Sequence, residues 1–237
     1  MAGGSKPAWE QSRDRRLALH ELRVRALSAV VMIAVAGGAL WLGGPAWQAF
    51  IGLVALATYG EFARLIVRGT PSFPARLLWL LFGLGYVGLA AVSLLVLHDQ
   101  HNAFGEPTVM PVLALVVAVI AVDIGAYVAG RTIGGPKIAP SISPGKTWAG
   151  LGGAVVCATL VMLQVGKASL MVALMGPLIA VVAQAGDFFE SWLKRRAGLK
   201  DSSRLIPGHG GVFDRVDGLI AVAFVFGVLR LVGRGFG

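Results

Sequence analysis

The sequence is short of cysteine and of charge. Cys157 stands alone among 237 residues, which excludes an internal disulfide framework. Within the run VVCATL it reads as a small apolar filler of a helix, not a reactive thiol. Charged residues make up only 14% of the chain, against about 25% in a soluble domain. Hydrophobic residues make up 56%, and the mean hydropathy is +0.76. Apolar content on that scale is buried in lipid or precipitates, which excludes a disordered chain, an ordinary cytosolic enzyme and a small secreted module. Acids are scarcer than bases: 12 Asp and Glu stand against 21 Lys and Arg, a net charge of +9. Such an excess suits nucleic acid, anionic lipid or a phosphorylated substrate, and position along the chain selects among them.

Long apolar runs are abundant. A bilayer core takes about 20 apolar residues per helix, and that window finds segments at 26–42, 46–67, 76–97, 109–129, 147–165, 170–189 and 218–232. None shows the alternation of a barrel strand. The expected fold is therefore all-α, a polytopic integral membrane helical bundle of about seven transmembrane helices. Gly43-Gly44-Pro45 leaves only a tight hairpin between the first two, and the last, the shortest, is expected to tilt, stop part-way or pack against neighbours. Cations are retained on the cytoplasmic side. With the N-terminus inside, every Lys and Arg except Lys167, Arg230 and Arg234 falls on that side, and the outer stretch HDQHNAFGEP has none. The polar start is read as an anchor, not a cleaved leader, with Ser12 to Arg25 lying along the cytoplasmic lipid surface.

Four acids fall within or at the ends of apolar segments: Glu61, Asp123, Asp187 and Asp217. A central Asp costs about 2.5–3.5 kcal/mol on the insertion scale, so each implies a partner or a role. In the orientation above all four approach the cytoplasmic mouth. Carboxylates delivered to one level by several helices, facing cationic loops, are what a site for a metal and a polyanion requires.

Two inner loops carry the phosphate chemistry. Residues 130–147 hold glycines that let backbone N–H groups approach an anion, the cations Arg131, Lys137 and Lys146, and the hydroxyls of Ser141, Ser143 and Thr147. Gly145-Lys146-Thr147 invites comparison with a nucleotide-binding P-loop, but Pro140 stands at the leading Gly and no strand is expected before it. In the second loop, 186–217, Asp187, Ser191 and Lys194 share a helical face, so metal and phosphate ligands can align along it. Asp214 and Asp217 stand three apart at the entrance of the last helix, and His209 sits among Gly208, Gly210 and Gly211. A histidine so placed reads as functional rather than as a surface residue.

The run S-x-L-K-R-x4-K-D-x-S-x2-I-P-G-H-G-G-V-x-D-R-V-D, from Ser191 to Asp217, resembles the signature of the phosphatidate cytidylyltransferases, or CDP-diacylglycerol synthases, at every fixed position. Upstream, Asp123-Ile-Gly-Ala-Tyr-Val-Ala-Gly130 and Ser143-Pro-Gly-Lys-Thr-Trp-Ala-Gly150 resemble that family's D-x-x-A-Y-x-x-G and S-P-x-K-T-x-E-G stretches. Ala149 departs from the usual Glu, so a contact made there is absent or comes from another acid such as Glu61. The resemblance implies condensation of CTP with phosphatidic acid to CDP-diacylglycerol and pyrophosphate, dependent on Mg²⁺, with a second cation left open. It implies Asp187, Asp214, Asp217 and Asp123 as metal ligands, and Asp187, Asp214, Lys194 and His209 as the catalytic set. Lys146, Ser143, Thr147, Ser191, Arg195, Lys200, Arg204 and Arg215 are expected to bind substrate.

The expected organisation is a basic juxtamembrane segment over residues 1–25, N-terminal membrane helices over 26–119 and a catalytic membrane region over 120–237. A bacterial-type plasma membrane with a cytoplasmic active site is the expected setting. The expected partners are CTP, phosphatidic acid and membrane lipid, not nucleic acid; a homodimer is left open. Two other classes compete. A cation-coupled transporter places acids near mid-membrane and needs no cationic loops. A CDP-alcohol phosphatidyltransferase opens its motif as Asp214-x2-Asp217-Gly218-x2-Ala221 does, but Val222 replaces the next Arg and no acid follows Asp217.

Overall fold

The computed structural model describes residues 8–99, 109–165 and 169–235, with side chains between residues 21 and 233 of those stretches. Lys6, Lys167, most of the loop 98–107 and the side chains of Ser12 to His20 and of Arg234 lie outside the described residues.

In hydrocarbon a chain must satisfy its own backbone, and a helix does so within one segment. The described residues form α1 (Ala8–Leu42), α2 (Gly44–Gly69), α3 (Phe73–His98), α4 (Met110–Thr132), α5 (Trp148–Val165), α6 (Leu170–Arg196) and α7 (Phe213–Gly235). All seven contain a stretch long and apolar enough to cross a membrane. Pro45, Pro74 and Pro111 open α2, α3 and α4, where a missing N–H costs nothing. The last helix is not the short element expected: it starts at Phe213, five residues before the apolar run, because Asp214 and Asp217 belong to its first turns. Nor does α1 break into a surface helix and a span. Its 35 residues run on continuously for roughly 50 Å.

The expectation of helices alone misses one feature. Between α4 and α5, strands β1 (Lys137–Ala139) and β2 (Ser143–Thr147) pair antiparallel, with Lys137 opposite Thr147 and Ala139 opposite Ser143.

α5 packs between α4 and α6, α7 against α3 and α6, α2 against α3, and α1 mainly against α2. Small residues set the closest approaches, as lipid-embedded helices require. A Cβ on Gly125 of α4 would lie 2.5 Å from the carbonyl oxygen of Gly153 in α5, so these backbones touch directly. A Cβ on Gly186 of α6 would stand 2.7 Å from the carbonyl oxygen of Asp217 in α7, which brings two site-bearing helices together. The main core, including Val112, Ala118, Val122, Ala154, Ala180 and Ile220, fills the bundle. A second cluster of Phe62, Leu65, Ile66, Leu193 and Phe213 underlies the loop between α6 and α7.

Candidate active site

Because consecutive helices alternate in direction, the ends of α2, α4 and α6 meet the starts of α3, α5 and α7 at one end of the bundle. Glu61, Asp123, Asp187 and Asp217 gather there, as do the hairpin and the loop 197–212.

α6 lays Asp187, Glu190, Ser191 and Lys194 along one face. Lys146, from the base of the hairpin, lies 2.5 Å from Asp187 Oδ2 and 4.4 Å from the Phe188 ring centre. Ser191 Oγ donates to Asp187 Oδ1 at 3.3 Å. One turn on, Lys194 Nζ bridges Glu190 Oε2 at 2.5 Å and Asp214 Oδ1 at 2.8 Å. Asp187, Glu190 and Asp217 each bring one oxygen within 4.8 Å of the others. At that spacing two full charges repel by roughly 3 kcal/mol at an effective dielectric of about 20. Lys146 and Lys194 offset part of this; among the described residues Asp217 has the backbone N–H of Gly218 at 2.8 Å. Glu190 is 1% exposed, and its Oε1 has no hydrogen-bond partner among the described residues. An oxygen-only set with an orphaned buried carboxylate oxygen fits a hard divalent cation. Asp123 sits beside this group, in a cavity of about 280 Å³ that it lines with Lys146, Gln184 and Asp187.

Asp214 is used differently. Its Oδ2 accepts from Ser202 N at 3.0 Å and Gly211 N at 2.8 Å and shares the one hydroxyl proton of Ser202, 2.9 Å away, with Glu61 Oε2, while Oδ1 takes Lys194. Asp187 and Asp214 were expected to share one ion; the carboxylates that converge are instead Asp187, Glu190 and Asp217. Glu190 escaped the sequence reading. Its signal was its place three residues after Asp187 and four before Lys194, on their shared helical face.

Glu61, reaching across from α2, holds the same loop from the other side. Its Oε1 accepts from Val212 N at 3.0 Å and Ser203 Oγ at 2.5 Å, and Oε2 from Phe213 N at 2.7 Å and Ser202 Oγ at 2.8 Å. A Cβ on Gly211 would lie 2.5 Å from Glu61 Oε2, so glycine alone fits between the loop and this carboxylate.

A larger cavity of about 560 Å³ opens beyond the loop. Lys200, Arg204, His209 and Arg215 line it, as does Arg25 of α1. Of the other expected substrate contacts, Thr147 lines the smaller cavity beside Lys146 and Asp187. Thr147 is buried and its Oγ1 accepts from Gly150 N at 3.0 Å, starting α5. Ser143 is half-buried in β2, and Arg195 is exposed on α6 and lines neither cavity.

A family model described as the cytidylyltransferase family matches residues 76–232, which include the hairpin, the acid group and both cavities except Arg25. The chain belongs to the cytidylyltransferase family. Among similar proteins of that kind, the phosphatidate cytidylyltransferase of Brucella melitensis is 44% identical over 159 residues, 64% of this chain and 57% of that protein. The protein of the same name from Mycobacterium tuberculosis is 40% identical over 145 residues, 56% and 44% of the two chains. That of Pseudomonas aeruginosa is 44% identical over 133 residues, 53% and 49%. The chain thus spans about half the length of the relatives it matches.

Proposed function

We propose that the chain is a phosphatidate cytidylyltransferase working at the cytoplasmic face of a bacterial-type plasma membrane. In this reaction a phosphate oxygen of phosphatidic acid attacks the α-phosphorus of CTP, the bond to the β-phosphate breaks, and pyrophosphate leaves. The single observation that carries the reading is the convergence of Asp187, Glu190 and Asp217 between Lys146 and Lys194, at the helix ends that bear the cationic loops. Two anionic reactants meet only if their charge is neutralised and they are held in line. Mg²⁺ is the cation proposed for Asp187, Glu190 and Asp217, with Asp123 beside them, and when bound it supplies that neutralisation. Lys146 and Lys194 are already paired to these carboxylates and stand ready to exchange toward phosphate oxygens. A phosphate nucleophile is ionised at neutral pH, which explains why no serine or cysteine nucleophile is required. Asp214 and Glu61 act through the loop: they fix its backbone so that Lys200, Arg204 and Arg215 face one cavity. The cationic loops favour a cytoplasmic orientation, which matches the side from which soluble CTP arrives.

The test is transfer of radiolabel from CTP into lipid by the purified full-length chain in phosphatidate-containing nanodiscs, with and without Mg²⁺. Metal-dependent labelling of CDP-diacylglycerol with release of pyrophosphate is expected. No label in lipid at saturating CTP and Mg²⁺ refutes the proposal.

A further inference from the structure

The most apolar stretch of α1 contains no buried residue, and the helix packs mainly on α2. Near its polar end, however, it is fastened to the loop between α6 and α7. Ser28 Oγ lies 2.8 Å from His209 Nδ1 and 3.0 Å from each of the carbonyl oxygens of Pro207 and Arg25. With two carbonyls to take the hydroxyl's one proton, the arrangement that serves the ring as well has its Nδ1–H donate to Ser28 Oγ. Nε2 of His209 is then left for the cavity that the ring lines. Between these contacts, Gly208 has φ +75, and a Cβ there would lie 2.8 Å from Arg25 Cγ and 3.4 Å from Arg25 N. Glycine is therefore needed both for its left-handed backbone and for the closeness of α1.

Arg25 itself forms part of the cavity wall, one turn before Ser28. Among the described residues its ion pair is with Glu21 at 4.0 Å, with both side chains more than half exposed, a weak tie. The wall carries Arg25, Lys200, Arg204 and Arg215 against one acid, Asp201. Its volume of about 560 Å³ falls in the roughly 300–1,000 Å³ range of small-ligand sites. A triphosphate presents three phosphate groups in a row where a lipid monoester presents one, and four cations spread over one cavity wall suit the former.

We infer that α1 completes the nucleotide site: Arg25 binds the triphosphate of CTP in this cavity, and Ser28 is a positioning residue that orients His209 toward it. This rests on the cytidylyltransferase reading, but it assigns a role to a helix outside the matched residues 76–232.

Binding of radiolabelled CTP to the full-length chain in phosphatidate-free nanodiscs, with Mg²⁺ present, tests it together with steady-state kinetics. Arg25→Gln is expected to weaken CTP binding about five- to tenfold, one charge-assisted contact at a partly exposed position. KM for CTP rises to match, kcat changes less, and KM for phosphatidate does not follow. Arg25→Lys recovers part of the affinity. Ser28→Ala has the same signature, and Ser28→Thr, which keeps the hydroxyl, restores CTP affinity. Unchanged CTP binding in both Arg25→Gln and Ser28→Ala overturns the inference. So does a rise confined to KM for phosphatidate, which gives the cavity to a lipid headgroup. A chain that binds CTP through Arg25 yet transfers nothing to phosphatidate upholds this inference and refutes the proposed activity.

Discussion

Replacing Glu61 by Gln isolates the tie between α2 and the loop. Each carboxylate oxygen accepts one backbone N–H and one serine hydroxyl, at distances from 2.5 to 3.0 Å. A glutamine has the same shape but one oxygen. Whichever way the amide turns, its NH₂ faces the N–H of Val212 or of Phe213, and two donors oppose each other. The serine hydroxyls can rotate to accept; the backbone N–H cannot. One buried N–H left unsatisfied costs about 1–3 kcal/mol, and the loss of the charge weakens the remaining bonds by about 1 kcal/mol more. The local opening free energy of residues 202–213 should fall by about 2–4 kcal/mol. Hydrogen exchange at the amides of Val212 and Phe213 should then quicken by roughly thirty- to several-hundred-fold, while amides of α4 and α5 keep their protection. Mass spectrometry of the protein in nanodiscs reads this peptide by peptide, and turnover measured on the same samples should fall. Unchanged exchange at 202–213, or a uniform loss across all helices, refutes the reasoning.

Four further outcomes follow from the same geometry. Asp187→Asn should abolish turnover with little change in melting temperature, whereas Asp214→Asn should lower both, because its NH₂ must face either the Lys194 ammonium or the N–H groups of Ser202 and Gly211, at a cost of about 2 kcal/mol; thermal unfolding beside the radiolabel assay separates them. Mg²⁺ should raise the melting temperature of the wild-type chain and EDTA should cancel the gain. Glu190→Gln should weaken that cation response at least about tenfold, since charge count and donor oxygens set affinity for a hard ion. Lys146→Ala should raise KM for CTP, checked by initial rates at saturating phosphatidate; an effect confined to the lipid substrate would move the hairpin's role to phosphatidate.

The spans were legible because lipid demands length and apolarity together, and both are visible in one dimension. Asp123, Asp187 and Asp217 stood out for the same reason: a carboxylate inside an apolar run is conspicuous. Glu190 did not, because it stands just past the apolar run 170–189, with Ser191 and Trp192 following it. Its burial, 1% exposed, comes from α2 and α7 folding over α6. The hairpin was missed because Ser-Pro-Gly-Lys-Thr lacks the apolar alternation of a strand; its pairing is held by backbone bonds. Asp214 and Asp217 looked alike at the head of one helix. Three residues of rotation leave them only about 60° apart on the helix; Asp214 is taken up by the loop and Lys194, Asp217 lies with Asp187 and Glu190, and only the packing of α6 on α7 decides which meets Asp187. The Ser28–His209 contact joins residues 181 apart in sequence, a relation no local pattern encodes.

The glycine seam between α4 and α5 bears on how Lys146 is presented. The hairpin springs from these two helices, and because their backbones touch at Gly125 and Gly153, its feet stand a fixed distance apart. Lys146 is the neighbour of Thr147, which closes the ladder opposite Lys137, so it sits at the foot of the hairpin, with Pro140 and Ser141 at the far tip. The ammonium group is thereby seated where the two helices fix the spacing, within reach of Asp187.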